Sequence, residues 1–228
     1  MENETRLERF RDRATAGRLL AERLAAYADR PEVLILALPR GGVPVAFEVA
    51  KALHAPLDVV IVRKLGTPGQ EELAMGAITS GGMQVLNDLV VEALDISPSA
   101  IDSVAARERR ELERRERLYR GNRPPLDVRG RTVILVDDGI ATGTTMRVAI
   151  VALRRQQPSR IVVAVPVAAP STCEELRKEV EEIVCLLSPW ELMAISLWYE
   201  DFTQTRDEEV CQLLEQAERL RTTAAASP

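Results

Sequence analysis

The chain has 228 residues, a hydrophobic share of 46% and a formal net charge of −5. That suits one domain with a sizeable core and argues against a general nucleic-acid binder, since the phosphate backbone rewards basic surfaces. No apolar run could span a bilayer, Met1-Glu2-Asn3-Glu4 is too polar and acidic for a signal peptide, and Cys173, Cys185 and Cys211 lack paired spacing, which together point to a reducing, cytoplasmic setting without structural zinc.

In chain order, Ala16 to Ala28 carries Leu19, Leu20, Leu24 and Tyr27 at helical spacing. Val33 to Leu38 reads as a short apolar strand, Pro39-Arg40-Gly41-Gly42 as a turn, and Val43 to Leu53 as a helix with Pro44 in its first turn. The lone histidine, His54, falls at the end of that helix. It suits a helix C-terminal cation, and it excludes a histidine-rich metal site. Leu57 to Val62 is a second strand that ends in Arg63-Lys64. Gly76 to Thr79 and Gln84 to Leu86 flank Ser80-Gly81-Gly82-Met83 as a hairpin.

Pro98 to Tyr119 is a long charged helix in which interleaved Arg and Glu cancel most of each other's field. Arg120 to Pro125 breaks it. Thr132 to Val136 is a third strand, followed by a helix over Thr144 to Arg155. Ile161 to Val165 and Glu182 to Leu187 are further strands around a helix near Ser171 to Glu181. Asp207 to Arg221 is a terminal helix, and Thr222 to Pro228 reads as frayed. The alternation predicts an α/β fold, a mostly parallel, doubly wound sheet flanked by helices. The chain reads as a single domain, 1–228, with a core over about 33–187 and a small C-terminal hood and terminal helix over about 188–222.

The most specific segment runs from Val133 to Thr145, VILVDDGIATGTT. An apolar strand meets two carboxylates, then a Gly/Ala/Thr loop, then a helix. Free N–H groups and the helix dipole at such a start favour a phosphate. A ribose 5-phosphate needs both halves: the loop takes its phosphate, and Asp137 and Asp138 accept from the sugar hydroxyls. No Gly-Lys-Ser or Gly-Lys-Thr follows, so this is not a P-loop.

This segment closely resembles the binding motif for 5-phosphoribosyl 1-diphosphate (PRPP) in type I phosphoribosyltransferases. The resemblance implies that Asp137 and Asp138 hold the ribose hydroxyls. It implies that Ala141, Thr142, Gly143, Thr144 and Thr145, with Gly139 beside them, line the 5-phosphate site. Pro39-Arg40-Gly41-Gly42 resembles the family's diphosphate loop, which often holds a cis peptide without proline. Here Leu38-Pro39 or Pro39-Arg40 could carry it. Arg63 and Lys64, two cations at a strand end, suit the same diphosphate. Gly66 to Gly82 resembles the family's mobile loop that closes over the substrate.

The implied reaction is transfer of the 5-phosphoribosyl group to a small nitrogenous acceptor with release of diphosphate. Arg40, the Gly41 and Gly42 amides, Lys64 and Mg2+ would stabilise the leaving group, and Asp137 and Asp138 the ribose ring. Magnesium would be held by PRPP and water, with Asp137 and Asp138 reaching it at most through water. The hood, Pro189 to Thr205, offers Trp190, Trp198, Tyr199 and Phe202, either to stack on a base or to pack the terminal helix. The alternative on the same fold is a non-catalytic PRPP-sensing regulator. Neither nucleic acid nor membrane is expected as a partner. A homodimer is expected, with the helix Pro98 to Tyr119 or its flanks near the interface; its Ile101, Val104, Leu112 and Tyr119 stripe could pack on the chain's own sheet or on a symmetric partner.

Overall fold

A computed structural model describes residues 9–121, 123, 124 and 126–225. The strands are β1 (Val33–Ala37), β2 (Leu57–Val59), β3 (Val62–Thr67), β4 (Gln70–Thr79), β5 (Gln84–Leu86), β6 (Thr132–Val136), β7 (Arg160–Val167) and β8 (Glu182–Leu187). The helices are α1 (Arg13–Arg23), α2 (Gly42–Leu53), α3 (Asp88–Ala93), α4 (Pro98–Arg120), α5 (Thr144–Arg155), α6 (Pro170–Leu176) and α7 (Asp207–Ala225). Five strands form a parallel sheet in the order β2-β1-β6-β7-β8, and β3-β4-β5 form a separate antiparallel sheet.

The parallel strands are apolar on both sides because both sides are covered. Ile35, Ala37, Ile134, Val136, Val162 and Ala164 face one core, with Leu20 of α1, Val49 of α2 and Val210 of α7. Leu36, Leu135, Ile161 and Val163 face the other, with Ile150 of α5 and Leu176 of α6. The period-2 alternation of one strand thus feeds two layers. The first core also takes Leu65 and Ile78 of the small sheet and Ile101, Ala105, Leu112 and Tyr119 of α4, so the small sheet is packed onto the domain rather than hanging from it.

Two expectations need correction. The strand expected over Leu57 to Val62 is two strands in two sheets. The Val60 N–H still donates to Ala37 O of the main sheet at 3.0 Å, but Ile61 exchanges hydrogen bonds with Ser80 of the β4–β5 turn. Gly66 to Gly82, which resembles a mobile loop, holds the end of β3, the β3–β4 turn and all of β4, and the expected hairpin of Gly76 to Thr79 with Gln84 to Leu86 is the β4–β5 pair. Of the two placements left open for the apolar stripe of α4, the structure shows packing on the chain's own small sheet and α7.

Elsewhere the ends differ more than the elements. The α6 helix stops at Leu176, and α7 runs to Ala225 through residues expected to fray; residues 226–228 lie outside the described part, as do Met1 to Glu4, Asn122 and Pro125. His54 caps α2 in the left-handed region, at φ 52°, with Nδ1 2.8 Å from Asp29 Oδ1.

Candidate active site

Strands β1 and β6 are neighbours in register, with Ala37 opposite Val136. From β1 the chain turns into α2 on one face of the sheet, and from β6 into α5 on the other. The two connections therefore diverge at this point and leave a crevice beyond the strand ends, the usual ligand position in open α/β sheets. Every residue of the turn 39–42 and the acid pair emerges there.

The two loops are packed hard together. A β-carbon at Gly41 would overlap Oδ2 of Asp138, and one at Gly42 would come within 2.8 Å of Val136 O and 2.9 Å of Asp137 Cα. Only glycine allows that approach. The cis peptide lies between Pro39 and Arg40. The Gly42 N–H is already committed to Leu38 O at 3.1 Å, whereas the Gly41 N–H has no acceptor among the described residues. One of the two amides expected to face a diphosphate is thus spent on the turn.

The acid pair is asymmetric. Asp137 Oδ1 accepts from the Asp138 N–H at 2.9 Å. Asp137 keeps a little accessible surface, but protein atoms ring its carboxyl. Burial, and next the Asp138 charge beside it, push Asp137 well above the usual carboxylate range. Asp138 instead has a counter-charge: Arg13 Nε donates to its Oδ2 at 2.8 Å. Tyr199 Oη donates to the Asp138 carbonyl at 2.6 Å.

Beyond the pair, Ile140 bridges Ala168 and Thr172 Oγ1 donates to Ala141 O at 2.7 Å, which fixes the loop. Gly143 takes φ 74° and starts α5 without a side-chain cap. The first amides of a helix have no internal acceptor, and here Ala141, Thr142, Thr144 and Thr145 stand exposed around them. Thr142 and Thr144 hydroxyls lie 3.3 Å apart. The arrangement is an anion cradle next to two carboxylates.

Other predicted site residues are placed differently. Arg63 and Lys64 are consecutive in β3, so they point to opposite faces of the small sheet instead of converging. The Arg63 fork is committed to the buried Glu108, with Nε at 2.9 Å, and Lys64 Nζ lies 3.3 Å from the exposed Glu72 carboxylate. Arg40 leans 3.7 Å from Asp207 at the start of α7, which also accepts from Tyr119 Oη at 2.6 Å. Of the hood aromatics, Trp190 is 92% exposed, Tyr199 is buried, and Phe202 sits under Arg13, its ring centre 3.8 Å from the guanidinium carbon. Ile195 of the hood packs on Gly139.

Arg13 escaped the sequence reading. It lies three residues before the helix expected from Ala16, and no sequence pattern tied it to Asp138.

The chain matches the phosphoribosyl transferase domain family over residues 6–200. The chain belongs to that family. It is 44% identical to TT1426 from Thermus thermophilus, whose crystal structure matches with a TM-score of 0.79 over 91% of this chain and 98% of that one. It is 46% identical over 210 residues to MT0597 and Rv0571c of two Mycobacterium tuberculosis strains, each named provisionally as a phosphoribosyl transferase. The match takes in 92% of this chain and 47% of theirs, so the chain spans about half the length of these curated relatives. The five-stranded parallel sheet with helices on both faces is the expected type I phosphoribosyltransferase-like architecture. Among the described residues, no helix is long and apolar enough to cross a membrane, and no three His, Cys, Asp or Glu side chains group to hold a metal.

Proposed function

We propose that the chain transfers the 5-phosphoribosyl group of PRPP to a small nitrogenous base or similar nitrogen nucleophile, releasing diphosphate. The observation that carries this reading is the packing of Gly41 on Asp138, which seats an anion-binding turn, two carboxylates and an uncapped helix start around one crevice. Those three features match the three parts of PRPP.

In this reading the start of α5, with Thr142, Thr144 and Thr145, takes the 5-phosphate. Asp137 and Asp138 accept from the ribose hydroxyls. Arg40 swings from Asp207 toward the diphosphate, the Gly41 N–H donates to it, and Lys64 leaves Glu72 for it. Arg63 is left to hold Glu108. As the bond at ribose C1 lengthens, positive charge grows on the ring and negative charge on the leaving oxygens. The carboxylates favour the first, and the Arg40 turn the second. The acceptor nitrogen attacks the opposite face of C1.

Bound magnesium would neutralise diphosphate oxygens. Two carboxylates without a third partner fit an ion held mostly by substrate and water, with Asp137 and Asp138 as its nearest protein groups. The resemblance also supports a homodimer, formed through surfaces other than the buried stripe of α4, and a cytoplasmic setting. Diphosphate release from Mg–PRPP over a panel of bases tests the activity. PRPP binding with no release for any base would identify the sensing regulator instead.

A further inference from the structure

Arg13 is a charged group at the crevice that this mechanism does not use. It opens α1 directly after the Asp12 N-cap, whose carboxylate accepts from the Thr15 N–H at 2.6 Å and already serves the positive end of the helix dipole. The Arg13 side chain is only 11% exposed. Burying a guanidinium at a helix start is unfavourable unless its partners compensate.

The partners are specific. Nε donates to Asp138 Oδ2 at 2.8 Å, Nη1 donates to the Thr203 carbonyl at 2.8 Å, and the planar group lies over Phe202. A lysine could not make all three contacts, because they use the flat fork. Asp138 is therefore held from two sides, by Arg13 at its carboxylate and by Tyr199 at its carbonyl. Its other oxygen, Oδ1, has no donor among the described residues. A carboxylate with one oxygen anchored and the other without a donor has a fixed direction in which to accept a hydroxyl.

Resting on the reading above, we propose that Arg13 is a positioning residue of the ribose site, which anchors Oδ2 of Asp138 so that Oδ1 is presented to a sugar hydroxyl. The N-terminal helix and the 199–203 segment thereby become part of sugar recognition through Asp138.

The test is calorimetric titration of the full chain with ribose 5-phosphate and, separately, with inorganic phosphate. Arg13→Met should lower ribose 5-phosphate affinity about tenfold and leave phosphate affinity unchanged, since the phosphate cradle does not involve Asp138. Arg13→Lys keeps the charge without the fork and should show the same selective loss, smaller in size. It carries the comparison if Arg13→Met fails to fold. An equal fall for both anions would mean general damage to the site and would overturn the proposal, as would no fall for either. A wild-type chain that binds neither anion would overturn the phosphoribosyl reading itself, and that result is read before any variant is made.

Discussion

Gly41 lies so close to Asp138 that a side chain at position 41 would occupy the space of the carboxylate. The two residues are 97 positions apart in sequence and come from adjacent parallel strands. Gly41→Ala should therefore displace Asp138 rather than merely stiffen the turn. Overpacking costs roughly 1–3 kcal/mol, so a lower melting temperature and at least tenfold weaker PRPP binding are expected. Melting and calorimetry check both. Unchanged PRPP affinity in the variant would show that Asp138 is not a ligand group.

Asp137→Asn should stabilise the fold at neutral pH. The Asp137 carboxyl is raised in the folded chain above its ordinary value of 3.8, chiefly by burial. Such a group contributes stability below the ordinary value and loses it as pH rises through the raised one. Asparagine does not titrate. The variant should therefore match the wild type at pH below the ordinary value and exceed it as pH climbs. At pH 7–8 the gain should read as a higher melting temperature than the wild type's. Melting curves from acid to neutral pH decide it; a gap that shrinks as pH rises has the wrong sign.

The start of α5 should bind an anion without any sugar. In crystals soaked in sulfate, density should sit on the amides of Thr144 and Thr145. Gly143→Ala should weaken it, because φ is 74° there and a β-carbon would lie 2.8 Å from Thr172 Cγ2. Sulfate found only along the arginines of α4 would remove the cradle.

The exposed tip of the β3–β4 hairpin, residues 68–73, should gain protection from hydrogen exchange when Mg–PRPP binds. In the free chain Lys64 pairs with Glu72 across the hairpin at 3.3 Å, and in the proposed reading it leaves that carboxylate for the diphosphate, so Lys64→Met should abolish the gain on ligand binding. Equal protection with and without ligand would leave the binding site intact but remove the lid.

The sequence showed what local pattern controls. Val133 to Val136 is all apolar because β6 is buried on both faces, and the acids follow at once because the strand ends there. The departure of β3 from the main sheet was hidden. Val59, Val60 and Ile61 continue one apolar run while the backbone changes partners from Ala37 to Ser80, and no glycine or proline marks the switch. The opposite pointing of Arg63 and Lys64 follows from that hidden strand. Arg13 was hidden for a different reason: its partner Asp138 is 125 residues away, and only the packing of α1 beside the hood brings them together. Tyr199 gave an aromatic signal compatible with a base or a core, and the structure uses it for neither alone, as its hydroxyl holds the Asp138 carbonyl.

The acid pair and the α5 cradle should bind PRPP as one site. Calorimetric titration of Mg–PRPP into the wild type and into Asp137→Asn with Asp138→Asn combined, with and without magnesium, measures this. Charge-assisted hydrogen bonds contribute roughly 1.5–3 kcal/mol each, so the double variant should lose at least tenfold in affinity, and the wild type should lose affinity when magnesium is removed. Equal affinity of wild type and double variant for Mg–PRPP would contradict the account.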